Sequence, residues 1–425
     1  MDDSLLKNLA EQFGTPLYIF DGDNIAENYN SMIGQLPGNA EIFYSVKANP
    51  SLGICQLLNI CGSGIEVASS GELHLALKAG FQPHKIIFSG PGKTENELEH
   101  AIETGISAII AESVNELEKL EQLAAERDCI VNTGIRLNPS YELPNAKIKM
   151  SGSGKQFGID EDDLDEVMSF FAKSKHLKLM CIHIYIGTQI FEYEMVIAHV
   201  RQMLEISKRI VREYGIDLRM IDFGGGFGVP YFGEGTLFDF ESFGKGMKAV
   251  CQEYSDICNG RRLIFESGRY MLARSGYFLT RVLYRKSSKG TNFLVTDGGM
   301  NNHVLSTFRG RQMRNNFPLY FLGKTGEKET VTIAGPLCTP DDVLGRNVET
   351  VSAGPGDILC IPNSGAYGLS YSPVHFLGHP GPAEVLRYRD DDYLLRQRGK
   401  SDEILTGQQE VIFEEGKQDG VSGVL

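Results

Sequence analysis

A chain of 425 residues is too long for one ordinary hydrophobic core, so two domains are expected. Its formal charge of −14 argues against a nucleic-acid-binding protein, and no apolar run approaches the roughly 18 residues that read as a membrane span. The opening, MDDSLLKNLAEQFG, is acidic and amphipathic and unlike a secretory signal, and the eight cysteines are scattered with no C-x-x-C pair. That pattern suggests reduced thiols in a cytoplasm, with no disulfide framework and no metal site.

TPLYIF (15–20) reads as a strand ahead of the main alternation. From Glu41, strand-like runs recur at EIFYSV, GIEVAS (64–69), KIIFSG (85–90), SAIIAE (107–112), NTGIRLN (132–138), LMCIHIYIG (179–187), RMIDFGGG (219–226) and RLIFES (262–267). Helical patterns lie between them. TENELEHAIETG has Thr94 three residues before Glu97, a capping-box spacing. NELEKLEQLAAERD and YEMVIAHVRQMLEISKRIVREYG carry apolar stripes at helical period. Eight such alternations predict an α/β fold, a (β/α)8 TIM-like barrel over residues 21–267, with a doubly wound open sheet as the alternative.

After Gly268 the texture changes. GYFLTRVLYRKS, NFLVTDGG, ETVTIAGPLC, GDILCIPNSGAYG and AEVLRYRDDDYLLRQRG read as strands and hairpins with Gly, Pro and Asp turns. They predict a mainly β C-terminal domain, residues 268–425. Residues 1–20 would add a strand to it, making that domain discontinuous. The tail from Gln408 is polar and is expected to fray.

Barrels of this kind gather their chemistry at the C-terminal strand ends. In order, those ends carry Lys47, Glu66 with Ser69, Ser89–Gly90, Glu112, Asn138, Tyr185, Gly224–Gly226, and Glu266 to Arg269. Lys47 either snorkels to water or is placed for chemistry. In DFGGGFGVPYFG (222–233), consecutive glycines let the backbone approach an anion; a plain tight turn is the other reading. The run lacks the P-loop lysine and the Rossmann spacing. FESGRY (265–270) offers Glu266 to a pyridinium nitrogen and Arg269 to a phosphate or carboxylate, against the alternative of a surface ion pair. A lysine amine, an acid for a ring nitrogen and a phosphate cradle are what pyridoxal phosphate asks of a protein.

YSVKANP, IEVASSGEL (65–73), FSGPGKT (88–94), HIYIGTQ (183–189), GGGFG (224–228), ESGR (266–269), DGGM (297–300), GPLCTPDD (335–342) and GAYG (365–368) occur in that order. Together they resemble the fold-type III pyridoxal-phosphate decarboxylases, the family of diaminopimelate, ornithine and arginine decarboxylases, over residues 12–400. The resemblance implies an alanine racemase-like fold and pyridoxal 5'-phosphate as cofactor. It implies that Lys47 holds the cofactor and Glu266 faces the pyridine nitrogen. Gly224, Gly225, Gly226, Gly268 and Arg269 would serve the phosphate, Tyr185 would stack on the ring, and Tyr367 would reach cofactor or substrate. Cys338 would come from the neighbouring subunit of a homodimer with shared active sites and return a proton after carbon dioxide leaves. Taken without the family, Cys338 reads as a buried structural thiol.

The departures from the family are informative. Tyr185 stands where a histidine is common, and Ser267 replaces a proline. Thr339 and Leu305 stand where diaminopimelate decarboxylases place a glutamate and an arginine for the substrate's far end. SVKAN, IIFSGPGK, GGGFGVPYF, ESGRYMLA, VLYRKSSKG, STFRGR, TIAGPLCTP and NSGAYGLSYSPVHFLGHP together resemble the branch, found in aminoglycoside antibiotic pathways, that decarboxylates glutamate carried on an acyl carrier protein, and that branch fits these departures. There, Arg309, Arg311 and Arg314 of FRGRQMR, with Arg269 and Tyr367, are expected to serve substrate and carrier; an ordinary solvated loop is the other reading of the arginine cluster. A decarboxylase of a free amino acid such as diaminopimelate, an amino-acid racemase, and a non-catalytic cofactor-binding regulator are the competing readings. Product mass and carbon dioxide release separate them.

Overall fold

The computed structural model describes residues 1–141, 148–149, 156–232, 235–307 and 316–413. All eight predicted barrel strands form: Ala40–Ser45, Gly64–Val67, Ile86–Phe88, Ala108–Ala111, Val131–Asn138, Leu177–His183, Met220–Asp222 and Arg262–Ser267. Each pairs in parallel with the next, and the eighth pairs with the first (Phe265 opposite Ile42), so the sheet closes on itself. The open-sheet alternative is thereby excluded. Period-two alternation sorts the side chains. Ile42 and Tyr44 pack in the large core, while Phe43 joins a separate buried cluster with Ile87, Ala108, Ile110, Cys181, Met220 and Ile264. Neighbours on one strand thus serve opposite faces of the barrel wall.

Helices return the chain between strands. Glu95–Thr104 begins with the capping box read from sequence, Thr94 and Glu97 each satisfying the other's backbone N–H. Tyr193–Tyr214 buries Val196, Val200, Met203, Leu204 and Ile210, the stripe of a helix lying on a barrel. No helix among the described residues is long and apolar enough to cross a membrane.

Leu17–Asp21 lies outside the barrel. It runs antiparallel to Gly276–Ser288 and parallel to Ala383–Tyr388, which puts the N-terminal strand inside the second sheet. That sheet continues through Thr291–Thr296, Lys328–Ala334 and Val343–Val351 on one side and Asp391–Arg396 on the other. The strand Val343–Val351 was absent from the sequence reading. Its run, VLGRNVETV, carries Gly345 and a left-handed Asn347 (φ 48°), and its pairing with Lys328–Ala334 shifts register, so no clean alternation marks it. The two sheets meet at the loop 363–370. There Tyr367 N–H donates to Ala48 O at 2.7 Å and Asn49 Nδ2 to Gly365 O at 3.2 Å. The β-domain loop is therefore pinned to the turn that carries Lys47.

Candidate active site

Lys47 sits in a single 3-10 turn, Val46–Ala48, at the C-terminal end of the first barrel strand. Its Nζ lies 3.1 and 3.2 Å from the two carboxylate oxygens of Glu66, at the end of the next strand. Glu66 is buried and also accepts the Ser89 hydroxyl. The Lys47 side chain is 47% exposed, so the desolvation that opposes its charge is partial, and Glu66, Glu266, Tyr367 and Tyr185 outweigh it and raise its pKa above that of an ordinary lysine. Burial likewise opposes the Glu66 carboxylate, yet Lys47 and the Ser89 and Ser45 hydroxyls hold its pKa down. The lysine is therefore placed and oriented by a buried acid, which excludes simple snorkelling.

Glu266 ends the eighth strand, buried, with Oε1 lacking any hydrogen-bond partner. His183 Nε2 lies 3.6 Å from it, and His183, Asp222 and Glu266 offer ligand atoms all within 4.8 Å of one another. Both ring nitrogens of His183 and Asp222 Oδ2 are also unpartnered among the described residues. Burial, with the nearby Glu66 and Asp222 carboxylates, pushes the Glu266 pKa well up; burial pushes Asp222 up to about 7. Burial and the positive charges of Arg136 and Lys47 hold the His183 pKa well below the usual imidazole value. Several buried polar groups without partners on one barrel mouth fit a planar heteroaromatic ligand that supplies them.

The glycine turn Gly224–Gly226 follows the seventh strand. A Cβ on Gly225 would lie 2.1 Å from the Glu266 carbonyl oxygen, and one on Gly226 (φ +107°) 2.2 Å from that of Gly187. Only bare backbone fits between the strands here, and it comes within reach of the site. Gly268 lies against Ala48 and Ser45. Arg269 begins the short helix Arg269–Leu272; its Nη1 donates to Tyr231 Oη at 3.0 Å, its guanidinium lies 4.5 Å from the Tyr367 ring centroid, and its Nε is buried without a partner. The surface ion pair offered as its bland reading is not formed among the described residues. Tyr185 touches the turn, since a Cβ on Gly224 would sit 2.8 Å from its ring, and Arg136 lies 6.0 Å above it. Arg136 is itself buried and paired with Glu112 at 3.2 Å.

Lys47, Tyr185, the glycine turn, Glu266, Gly268, Arg269 and Tyr367 thus converge on one mouth. Cys338 does not join them within this chain. It is exposed on the loop between Lys328–Ala334 and Val343–Val351, a loop fixed by Asp342, whose carboxylate accepts Met300 N–H at 2.6 Å and Leu337 N–H at 2.8 Å. Arg309, Arg311 and Arg314 lie outside the described residues. Sequence reading gave Glu66 and Glu112 no role and passed over His183, Arg136, Asp222 and Tyr231. The available signal was a charged or polar residue inside an otherwise apolar strand run, as at IEV, GIRLN and CIHIY.

The family described as "Pyridoxal-dependent decarboxylase, pyridoxal binding domain" matches residues 22–273. The chain is 43% identical over 414 residues to the L-glutamyl-[BtrI acyl-carrier protein] decarboxylase of Niallia circulans, covering 96% of this chain and 97% of that one. It is 30% identical to the diaminopimelate decarboxylase of Aquifex aeolicus, covering 94% and 93%. The crystal structure of diaminopimelate decarboxylase from M. jannaschii in complex with L-lysine superposes with a TM-score of 0.87 at 29% identity, over 95% of this chain and 94% of that one. The orphaned acid behind the site, the lysine at its mouth and the glycine turn beside it agree with what such a cofactor needs. The chain belongs to the pyridoxal-dependent decarboxylases and is a pyridoxal-phosphate-dependent amino-acid decarboxylase.

Proposed function

We propose that this decarboxylase acts on an acidic amino acid, L-glutamate or a close relative, carried as a thioester on an acyl carrier protein. The identity to the Niallia circulans enzyme, whose name states such a substrate, is the observation that carries this reading. The pocket chemistry supports it. Thr339 is uncharged and Leu305 packs against the apolar core, so neither offers a charge to the far end of a free diamino-diacid. A thioester has no charge there and leaves nothing buried and unpaired. The protein is proposed to work in the cytoplasm as a homodimer of two-domain subunits, residues 21–267 forming the barrel and residues 1–20 with 268–425 the β domain.

The placement of Lys47, Glu66, Glu266, the glycine turn and Arg269 supports the roles proposed for them. Lys47 holds the cofactor through its amine, oriented by Glu66. Glu266 faces the ring nitrogen, its raised pKa allowing it to keep or share a proton there. The turn Gly224–Gly226, Gly268 and Arg269 would hold the phosphate, Tyr185 would stack on the ring and Tyr367 would reach cofactor or substrate. When bound, the cofactor supplies the electron sink for loss of the α-carboxylate. Cys338 of the partner subunit returns the proton to the α-carbon, and Arg309, Arg311 and Arg314 contact the carrier or its phosphate.

The test compares kcat/KM for glutamyl-loaded carrier with that for free glutamate, aspartate and diaminopimelate. A preference of about a hundredfold or more for the loaded carrier is expected, since a wrongly charged end left unpaired in the pocket costs several kcal/mol. Free diaminopimelate turned over as well as any carrier-bound amino acid would overturn the reading.

A further inference from the structure

A groove of about 580 Å³ crosses one face of the β-domain sheet beside the Cys338 loop. Its floor is built by period-two residues of adjacent strands. Lys286 stands opposite Phe293, and Phe293 opposite Thr332, so one row of side chains runs across three strands. Arg346 of Val343–Val351 closes the row's far side, and Leu337, Thr339 and Pro340, of the loop that carries Cys338, form one wall.

The charge on this face is unusual for a chain of net charge −14. The neighbouring cations are neutralised locally: Arg285 pairs with Glu329 at 2.6 Å and Lys328 with Glu349 at 3.6 Å. Among the described residues, Lys286 and Arg346 are exposed and in no ion pair. The one carboxylate in the lining, Asp342, is buried and turned inward onto the Met300 and Leu337 N–H groups. What faces the groove is therefore two unneutralised cations, hydroxyls such as Thr291 and Thr332, and one aromatic ring. That set suits an anionic phosphodiester followed by a neutral, amide-rich arm. Another cavity, of about 390 Å³ behind the Lys47 turn, suits it less. Two carboxylates, Glu384 and Glu403, line it, and its Arg396 is already paired with the buried Glu384.

We infer that this sheet face is the docking surface of the carrier protein: the phosphopantetheine arm lies in the groove, and Lys286 and Arg346 meet its phosphate and the acidic carrier around it. This rests on the carrier-bound substrate proposed above. The groove then leads the thioester past Thr339 to the site that Cys338 serves, and the fit of the arm sets which carrier is accepted.

The experiment uses full-length holoenzyme, the double variant Lys286→Glu/Arg346→Glu and its milder counterpart Lys286→Gln/Arg346→Gln. Two probes are compared: glutamyl-loaded carrier and the glutamyl thioester of N-acetylcysteamine, which lacks both phosphate and carrier. kcat/KM for the loaded carrier should fall at least about tenfold further than for the short thioester, more with Glu than with Gln, and the gap should shrink at high salt. Lys400→Glu, in the other cavity, should produce no such gap. Equal losses for both probes, no loss for the carrier, or a gap that appears with Lys400→Glu instead would overturn the docking surface. Failure of the carrier-bound reading is recognised separately, in the wild type, by a loaded carrier no better than free glutamate, and it would remove the docking surface with it.

Discussion

The pair Lys47–Glu66 decides when the amine can react. A protonated lysine is no nucleophile, and Glu66 favours the protonated form. Glu66→Gln should lower the Lys47 pKa, so reloading of the cofactor-free enzyme, followed by visible absorbance, should accelerate at lower pH than in the wild type. An unshifted pH profile would mean that Glu66 does not govern the amine. Lys47→Ala should abolish the lysine-linked absorbance and reduce turnover by orders of magnitude. Asp222 gives a linkage prediction of opposite sign to an ordinary paired carboxylate. The folded chain holds its proton more tightly than the unfolded one, because burial outweighs the Gly224 N–H bond and the attraction of Lys47 and Arg136. Its stabilising contribution is complete below the ordinary aspartate pKa of about 4 and is lost as pH climbs through about 7. Cofactor-free Asp222→Asn should therefore gain in Tm relative to wild type as pH rises across that window; a constant difference would contradict the assignment. Lys47, Glu266 and Arg269 were legible in sequence because each sits at a strand end. His183 and Asp222 were not, because their significance is a shared pocket between strands 37 residues or more apart in the chain, which no local pattern records.

At the scale of elements, the glycine turn after the seventh strand packs bare backbone against the end of the eighth, beside the proposed cofactor site. Gly225→Ala would set a methyl group against the Glu266 carbonyl, forcing the seventh and eighth strand ends apart. The expected result is a loss of cofactor occupancy, read by absorbance after dialysis, together with a lower Tm. Retention of both would show that the turn yields without disturbing the site. The barrel strands were legible because buried parallel strands are short apolar runs bounded by turns, repeated at helix-length intervals. Val343–Val351 was not, since its bulged register erased the alternation, although Thr94 and Glu97 announced their helix cap from sequence alone.

For the whole molecule, the fold places Cys338 on a loop that makes none of the hydrogen bonds, ion pairs or ring contacts of the Lys47 cluster among the described residues. The proposed sharing of the site between subunits would account for this. Mixing inactive Lys47→Ala and Cys338→Ala subunits, with exchange verified, should restore part of the activity through one intact site per heterodimer; no recovery would argue for a site complete within one chain. The discontinuity of the β sheet was legible only as a possibility, because pairing of Leu17 with Leu279 and Ala383 is a long-range fact that the short TPLYIF run merely permits. The most direct measurement is intact-mass spectrometry of glutamyl-loaded carrier incubated with the holoenzyme. Loss of one carbon dioxide from the carrier-bound amino acid, dependent on Lys47, is the predicted result. An unchanged carrier mass, with free amino acids decarboxylated instead, would contradict it.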